Sequence, residues 1–211
     1  MTPSLWHFLM NRRRLLIFLV CWLCLTTSQA AQYRVDGANS SARFEVGHWG
    51  GGIVKGTLGR IAGAIEFDDE SKSGVADISF DMSAVETGRD FVNGFIKSKA
   101  IFDTAAYPVM RFSANHFEFL AGQLVSVGGE LNLHGVTKAI QMNVTRFACG
   151  DSATAGSVRH ECRGNFQTAI FRSQFGMNSF SAMVNDEVRI AVDLTLERLA
   201  SPELNNTLEP R

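Results

Sequence analysis

Between Gly129 and Thr145 the chain alternates. Leu131 and Leu133 stand against polar Glu130, Asn132 and His134. After a short break at Gly135-Val136-Thr137-Lys138, Ile140, Met142 and Val144 stand against Gln141, Asn143 and Thr145. Period-2 alternation on both sides of a glycine-containing break predicts an antiparallel hairpin with one apolar face. A lone hairpin cannot hide such a face, so the remaining chain must close over it. The same pattern recurs along the chain. Ala42, Phe44, Val46 and His48 share one face of a strand that begins near Ser40, and Ile61, Gly63, Ile65 and Phe67 share another. Ala76, Ile78, Phe80 and Met82 follow, then Met110, Phe112 and Ala114, with a hairpin running on to Val125 and Val127. Phe166, Thr168 and Ile170 open a later strand, and Val188, Ile190, Val192, Leu194 and Leu196 form the clearest one. About eight half-buried strands with turn signals between them predict an all-β fold, either a sandwich or an up-and-down barrel.

Two stretches depart from the alternation. Glycine occupies positions 47, 50, 51, 52, 56, 59 and 63. No G-K-[ST] follows and no helical pattern starts there, so these glycines do not cradle a phosphate. They fit the bends and close backbone approaches of a strongly curled sheet. From Thr87 to Asp103, Phe91, Phe95 and Phe102 recur at spacings of four and seven, with Lys97 and Lys99 between. That spacing predicts a short helical crossover around 88–103, laid over an apolar rim. Polar, aperiodic residues 200–211 predict a disordered tail.

The N-terminus changes the accounting of charge and cysteine. Arg12, Arg13 and Arg14 precede the apolar run Leu15 to Leu25, and Ser28-Gln29-Ala30 is a small-x-small pattern. This predicts a cleaved secretory signal over 1–30, a single domain over 31–199 and export from the cytosol. The alternative is an uncleaved anchor, for which the run is short of the roughly 20 residues a span needs. Cys21 and Cys24 follow bulky Val20 and Leu23, which speaks against a lipoprotein. Removing the signal takes away three arginines and no acid, leaving 17 basic against 21 acidic residues and a net charge of −4. No basic patch emerges, which argues against nucleic acid as a partner. Two cysteines remain, Cys149 and Cys162. An even count in an exported chain predicts one disulfide, closing a small polar loop and worth about 3 kcal/mol. A metal or redox pair is the alternative, but the spacing is not C-x-x-C and only His160 lies nearby.

Candidate chemistry is sparse. His48, His116, His134 and His160 are scattered singly, and no hydrolase, dinucleotide or metalloprotease motif occurs in a fitting context. A lone histidine such as His48 on an apolar face is more often a satisfied core residue than a ligand or base. His134 begins the hairpin break, where a polar turn residue is expected. Asp68-Asp69-Glu70 and Asp186-Glu187 read as solvated turns. No catalytic residue and no metal site is predicted. What stands out is aromatic load, with 14 of the 16 phenylalanines beyond the signal. An eight-stranded barrel is the size at which the interior either fills with side chains or holds one slender ligand. Phe44, Phe67, Phe80 and Phe112, spaced by Ala42, Gly63 and Ala114, would line an apolar tube. The pattern leaves filled and hollow equally open.

Several short motifs, in order, resemble the YceI family of periplasmic polyisoprenoid-binding proteins. They are Tyr33-Arg34-Val35-Asp36, Phe44-Glu45-Val46-Gly47-His48 and Gly63-Ala64-Ile65-Glu66-Phe67-Asp68. Lys97-Ser98 with Phe102-Asp103, Tyr107-Pro108 with Arg111-Phe112, and Leu131 to Lys138 continue the series. Arg172-Ser173-x-Phe175-Gly176 and Asp186-Glu187-Val188 close it. The resemblance spans Tyr33 to Glu197. It implies an eight-stranded antiparallel lipocalin-like barrel without catalysis or required cofactor. It implies that the lumen holds an amphiphilic isoprenoid lipid, either a polyprenyl chain or an isoprenoid quinone. The expected lumen residues are Phe44, Val46, His48, Ile65, Phe67, Ile78, Phe80, Phe95, Phe102, Phe112, Leu131, Leu133, Met142, Val144 and Phe175. A cytochrome b561-type membrane protein is the implied candidate partner, with the chain as its soluble accessory subunit as the alternative role; a homodimer is the candidate assembly. Where the family often carries Arg-Asp-x-His-Leu, this chain has Val92, Asn93, Gly94, Phe95 and Ile96. An apolar rim there disfavours a diphosphate and places head-group choice near Phe95 and Lys97.

Overall fold

The computed structural model describes residues 30–68, 70–154 and 157–200. The predicted signal over 1–30 and tail over 200–211 lie outside these residues, save for Ala30 and Ala200 at their borders. Among the described residues there are ten strands and one α-helix: β1 Ala31–Val35, β2 Ser41–His48, β3 Gly52–Thr57, β4 Ile61–Asp68, β5 Ser73–Asp81, α1 Asp90–Lys97, β6 Val109–Leu120, β7 Gln123–Leu133, β8 Val136–Thr154, β9 Ser157–Phe171 and β10 Val184–Arg198.

Every strand pairing is antiparallel. The order β1-β4-β5-β6-β7-β8-β9-β10 returns to β1, so eight strands close into a ring. This is the expected antiparallel barrel with a short helical crossover. Closure removes the unpaired edges an open sheet would expose. One long edge of β10 is shared by two strands. β1 takes Leu196 to Arg198, and β2 takes the stretch from Val184 to Asp193. The β2–β3 hairpin thus extends the wall at one end. Its outer strand is tied at Thr57 to Glu86 by paired backbone bonds of 2.8 and 3.1 Å, just before α1.

Three local features differ from the pattern along the chain. The glycine-dense stretch contains a hairpin, β2 to β3, turning on Gly50 and Gly51 at φ of +90° and +80°. The break after Leu133 is only two residues long. His134 and Gly135 both have positive φ, 53° and 74°, the geometry of a type I′ turn, and Val136 already pairs with Leu133. Among the described residues, the polar stretch between Cys149 and Cys162 is strand rather than loop. β8 and β9 run through it in continuous register as far as Thr154 opposite Ser157. Its small and polar residues can pair as strands because a two-stranded ribbon beyond the barrel has no apolar face to satisfy.

Helix α1 lies over the same end of the barrel as the β2–β3 hairpin, opposite the β8–β9 ribbon. Val92, Asn93 and Ile96 form its inner face, with Asn93 7 % and Ile96 7 % exposed. Asn93 joins α1 to the preceding loop. Its Oδ1 accepts from Thr87 N at 2.8 Å and from Thr87 Oγ1 at 2.7 Å, and its Nδ2 donates to Glu86 Oε1 at 2.5 Å. Phe91 points away, 88 % exposed. The four- and seven-residue phenylalanine spacing therefore marks the helix but not its buried side.

Candidate functional site

The barrel encloses two compartments. The larger, about 700 Å³, occupies the β1 end, within the range of about 300–1,000 Å³ usual for sites that take a whole small molecule. The smaller, about 110 Å³, lies under α1. They meet where Phe80 on β5 stands opposite Met110 on β6. Phe80 faces the large compartment and Met110 the small one. The lumen is hollow in its larger part and blocked midway.

The expected lumen residues divide between the compartments. Ile65, Phe67, Ile78, Phe80, Phe112 and Met142 line the large one. Phe44, Val46, Phe95, Phe102 and Leu133 line the small one, where Phe44 and Phe102 meet edge to face at 6.3 Å. Leu131 and Val144 pack in the core without lining either. Phe175 is fully buried in the 3-10 turn after β9. His48 is a correction. Strand parity places it on the apolar face, but β2 has run past the rim by that residue. Its ring is exposed, with Nδ1 2.9 Å from Trp49 O. It also rests over Gly52, where a Cβ would fall 2.1 Å from Nε2.

Phe117, Phe119 and Phe147, absent from the expected set, line the large compartment, as does Phe166, whose strand face the alternation gives. The cause on β6 is a register shift between Ala114 and His116. Up to Ala114 the even residues face inward; past the bulge Phe117 and Phe119 do. β8 repeats this between Val144 and Arg146, after which Phe147 and Cys149 face inward. A bulge adds one residue and reverses the face of all that follow. No signal in the alternation itself marks where the extra residue falls.

The two ends differ in polarity. Among the described residues the only polar side chain lining the small compartment is Arg172, and all three of its guanidinium nitrogens donate to backbone carbonyls. It donates to Asn185 O at 3.0 Å, Met177 O at 2.5 Å, Ser179 O at 2.8 Å and Val184 O at 2.9 Å. Nearby, Ser173 donates through N and Oγ to Asp186 at 2.8 and 2.6 Å, which holds the Asp186 carboxyl below its ordinary range. These bonds fix the turn that closes the barrel and commit Arg172 to the protein's own backbone. Lys97 lines neither compartment. In the large compartment the charged and amide side chains, Asp68, Glu70, Lys72, Gln123, His160 and Arg198, all stand at the outer end. Lys72, Gln123 and Arg198 are exposed, so the compartment opens to solvent there.

Cys149 and Cys162 form the predicted disulfide and sit in the wall of the large compartment. With His160 they bring three potential metal-binding atoms within 4.8 Å of one another. Both sulfurs are committed to each other, so no thiolate remains to bind an ion.

An antiparallel ring with an apolar interior that turns polar at one mouth defines a ligand-enclosing β-barrel. The chain belongs to the YceI family, matching the YceI-like domain over residues 33–196. It is 26% identical over 132 residues to a UPF0312 protein of Vibrio parahaemolyticus, covering 61% of this chain and 70% of that one. It is 25% identical over 150 residues to Protein YceI of Salmonella arizonae, covering 69% and 78%. Among solved structures it resembles Burkholderia cenocepacia BcnA, with a TM-score of 0.64 at 21% identity over 76% of this chain and 98% of that one. A polyisoprenoid binding domain from Saccharophagus degradans, implicated in plant cell wall breakdown, aligns with a TM-score of 0.58 at 21% identity, over 79% and 98%.

Proposed function

We propose that this protein is a periplasmic, non-catalytic carrier or scavenger of an isoprenoid lipid, a polyprenyl chain or an isoprenoid quinone, with its tail in the large compartment. The observation that carries this reading is the 700 Å³ lumen, apolar along its depth and polar only at its mouth. Burial supplies the affinity, at roughly 25 cal/mol per Å² of apolar surface withdrawn from water, less the entropy of ordering the tail. The partition at Phe80 and Met110 limits tail length. Membership of the YceI family and the polyisoprenoid binding domain among its structural neighbours support the ligand class. The test is native mass spectrometry of the chain purified from its exporting cell. A co-purifying prenyl lipid is expected, absent from Phe112→Trp, which puts a larger ring in the lumen wall. Equal lipid loading of the two proteins would refute the placement of the tail.

A second reading, a soluble subunit docked on a membrane redox protein of the cytochrome b561 type, draws on the capped end. Phe95 and Phe180 rings lie 5.0 Å apart, Met183 N donates to Phe180 O, and Trp49 N donates to Met183 O. With Phe91, this joins a run of apolar side chains that are between 38 % and 88 % exposed. Recovery of an empty barrel bound to such a partner would favour this second reading over the carrier.

A further inference from the structure

We propose, taking the carrier reading as given, that His160 is the head-group contact of the lumen. Held by Asp151, it selects a neutral head carrying an O–H or N–H donor. The geometry starts from the ribbon that β8 and β9 make beyond the barrel. β7 stops pairing with β8 at Ser126 and Asn143. β10 stops pairing with β9 at Glu197 and Glu161. Past these points the two strands pair only with each other among the described residues. On the outside, Arg159 Nη1 meets Glu197 Oε1 at 2.9 Å and fastens the ribbon to β10.

On the inner face, cross-strand partners follow in a fixed sequence from lumen to solvent. Cys149 stands opposite Cys162, and the next pair on that face is Asp151 opposite His160. Residues two apart on a strand share a face and lie about 7 Å apart. The boundary between apolar wall and polar mouth therefore falls within one such step. A tail filling the compartment ends beside the disulfide, and its head meets the imidazole.

The protonation pattern follows from the partner. His160 Nδ1 lies 2.9 Å from Asp151 Oδ1. The carboxylate can only accept, so Nδ1 carries a proton, and with a single proton on the ring Nε2 is an acceptor. An acceptor at that place wants a donor from the ligand. The surrounding charges point away from an anionic head. Asp68 and Glu70 line the same mouth, together with Lys72 and Arg198, and Asp151 adds a third carboxylate. A mouth with carboxylates interspersed among its cations is unlike the cation cluster that a diphosphate needs.

The experiment is calorimetric titration of the mature, disulfide-bonded protein with farnesol, farnesyl methyl ether and farnesyl diphosphate, which share one tail. Farnesol is expected to bind about fivefold more tightly than the ether, the size of one net hydrogen bond, and the diphosphate more weakly than farnesol. His160→Leu is expected to erase the preference for farnesol over the ether. Asp151→Ala, which frees the ring to turn, is expected to reduce that preference. A preference that survives in His160→Leu, or a diphosphate that outbinds farnesol, overturns the assignment. Uptake of none of the three by the unaltered protein overturns the carrier reading itself, and the two failures are thereby told apart.

Discussion

Phe80→Ala should join the two compartments. Phe80 is 5 % exposed and stands between Ile61 on β4 and Met110 on β6, at the level where the lumen is blocked. Removing a buried ring costs about 3–5 kcal/mol, against a total stability of about 5–15 kcal/mol for a domain. At about 2–4 °C per kcal/mol for a chain of this size, the empty protein should melt about 6–20 °C lower. The opened lumen would join the 700 Å³ space to the 110 Å³ space. A tail longer by one five-carbon unit could then be buried, worth up to about 4 kcal/mol at 0.8 kcal/mol per carbon. Titrating farnesol and geranylgeraniol into both proteins reads this as a ratio of affinities. The variant should favour the longer alcohol by at least about tenfold more than the parent does. Ligand at a hundred times its Kd should also restore about 2.7 kcal/mol of the lost stability. If the melting temperature falls as expected but the ratio does not move, the lumen is not divided at this ring.

Other perturbations test the frame around the site. Replacing Cys149 and Cys162 together by serine removes a cross-link that spans 13 residues of sequence. Loop closure of that size is worth about 3 kcal/mol, or about 6–12 °C in Tm by scanning calorimetry; an unchanged Tm under non-reducing conditions would refute a stabilising role. Arg172→Ala leaves four backbone carbonyls without their donor and should cost about 2–4 kcal/mol in urea unfolding. Arg172→Lys should recover only part, since an ammonium lacks the planar fork. Hydrogen bonds from Arg111 to Asp77, and from Ser83 and Arg60 to Asp81, hold both carboxyls below their ordinary value of 3.8. A depressed folded-state pKa means stability that is complete above that value and lost as pH falls through the folded pKa. Unfolding free energy should therefore be flat near neutrality and decline only below about pH 4. Arg111→Gln should flatten part of that decline.

Much of the barrel is written in local pattern. Alternation at Ala76 to Met82 and at Val188 to Leu196 specifies strands with one buried face, because side chains in a strand point to opposite sides with a strict period of two. His134-Gly135 specifies a tight reversal because glycine, and less readily histidine, accept positive φ. Phe95 and Phe102 mark a crossover that covers one end. Aromatic load at Phe44, Phe67, Phe80 and Phe112 points to the lumen.

What the linear pattern could not decide depends on strand pairing. The bulges at Ala114/His116 and Val144/Arg146 exist because a closing ring must bend and shift register, and each bulge turns the later residues over. Phe117, Phe119, Phe147 and the disulfide face the cavity for that reason. His48, with the right parity, falls outside it because β2 outruns the wall. The division of the lumen arises from Phe80 and Met110 meeting across two strands. The choice of polar mouth likewise arises from Arg172 satisfying carbonyls from a turn that follows it while His160 and Arg198 reach the opposite rim. Period and composition are properties of neighbours along the chain. Which end of a barrel is dry and which can meet a head group is a property of neighbours across it.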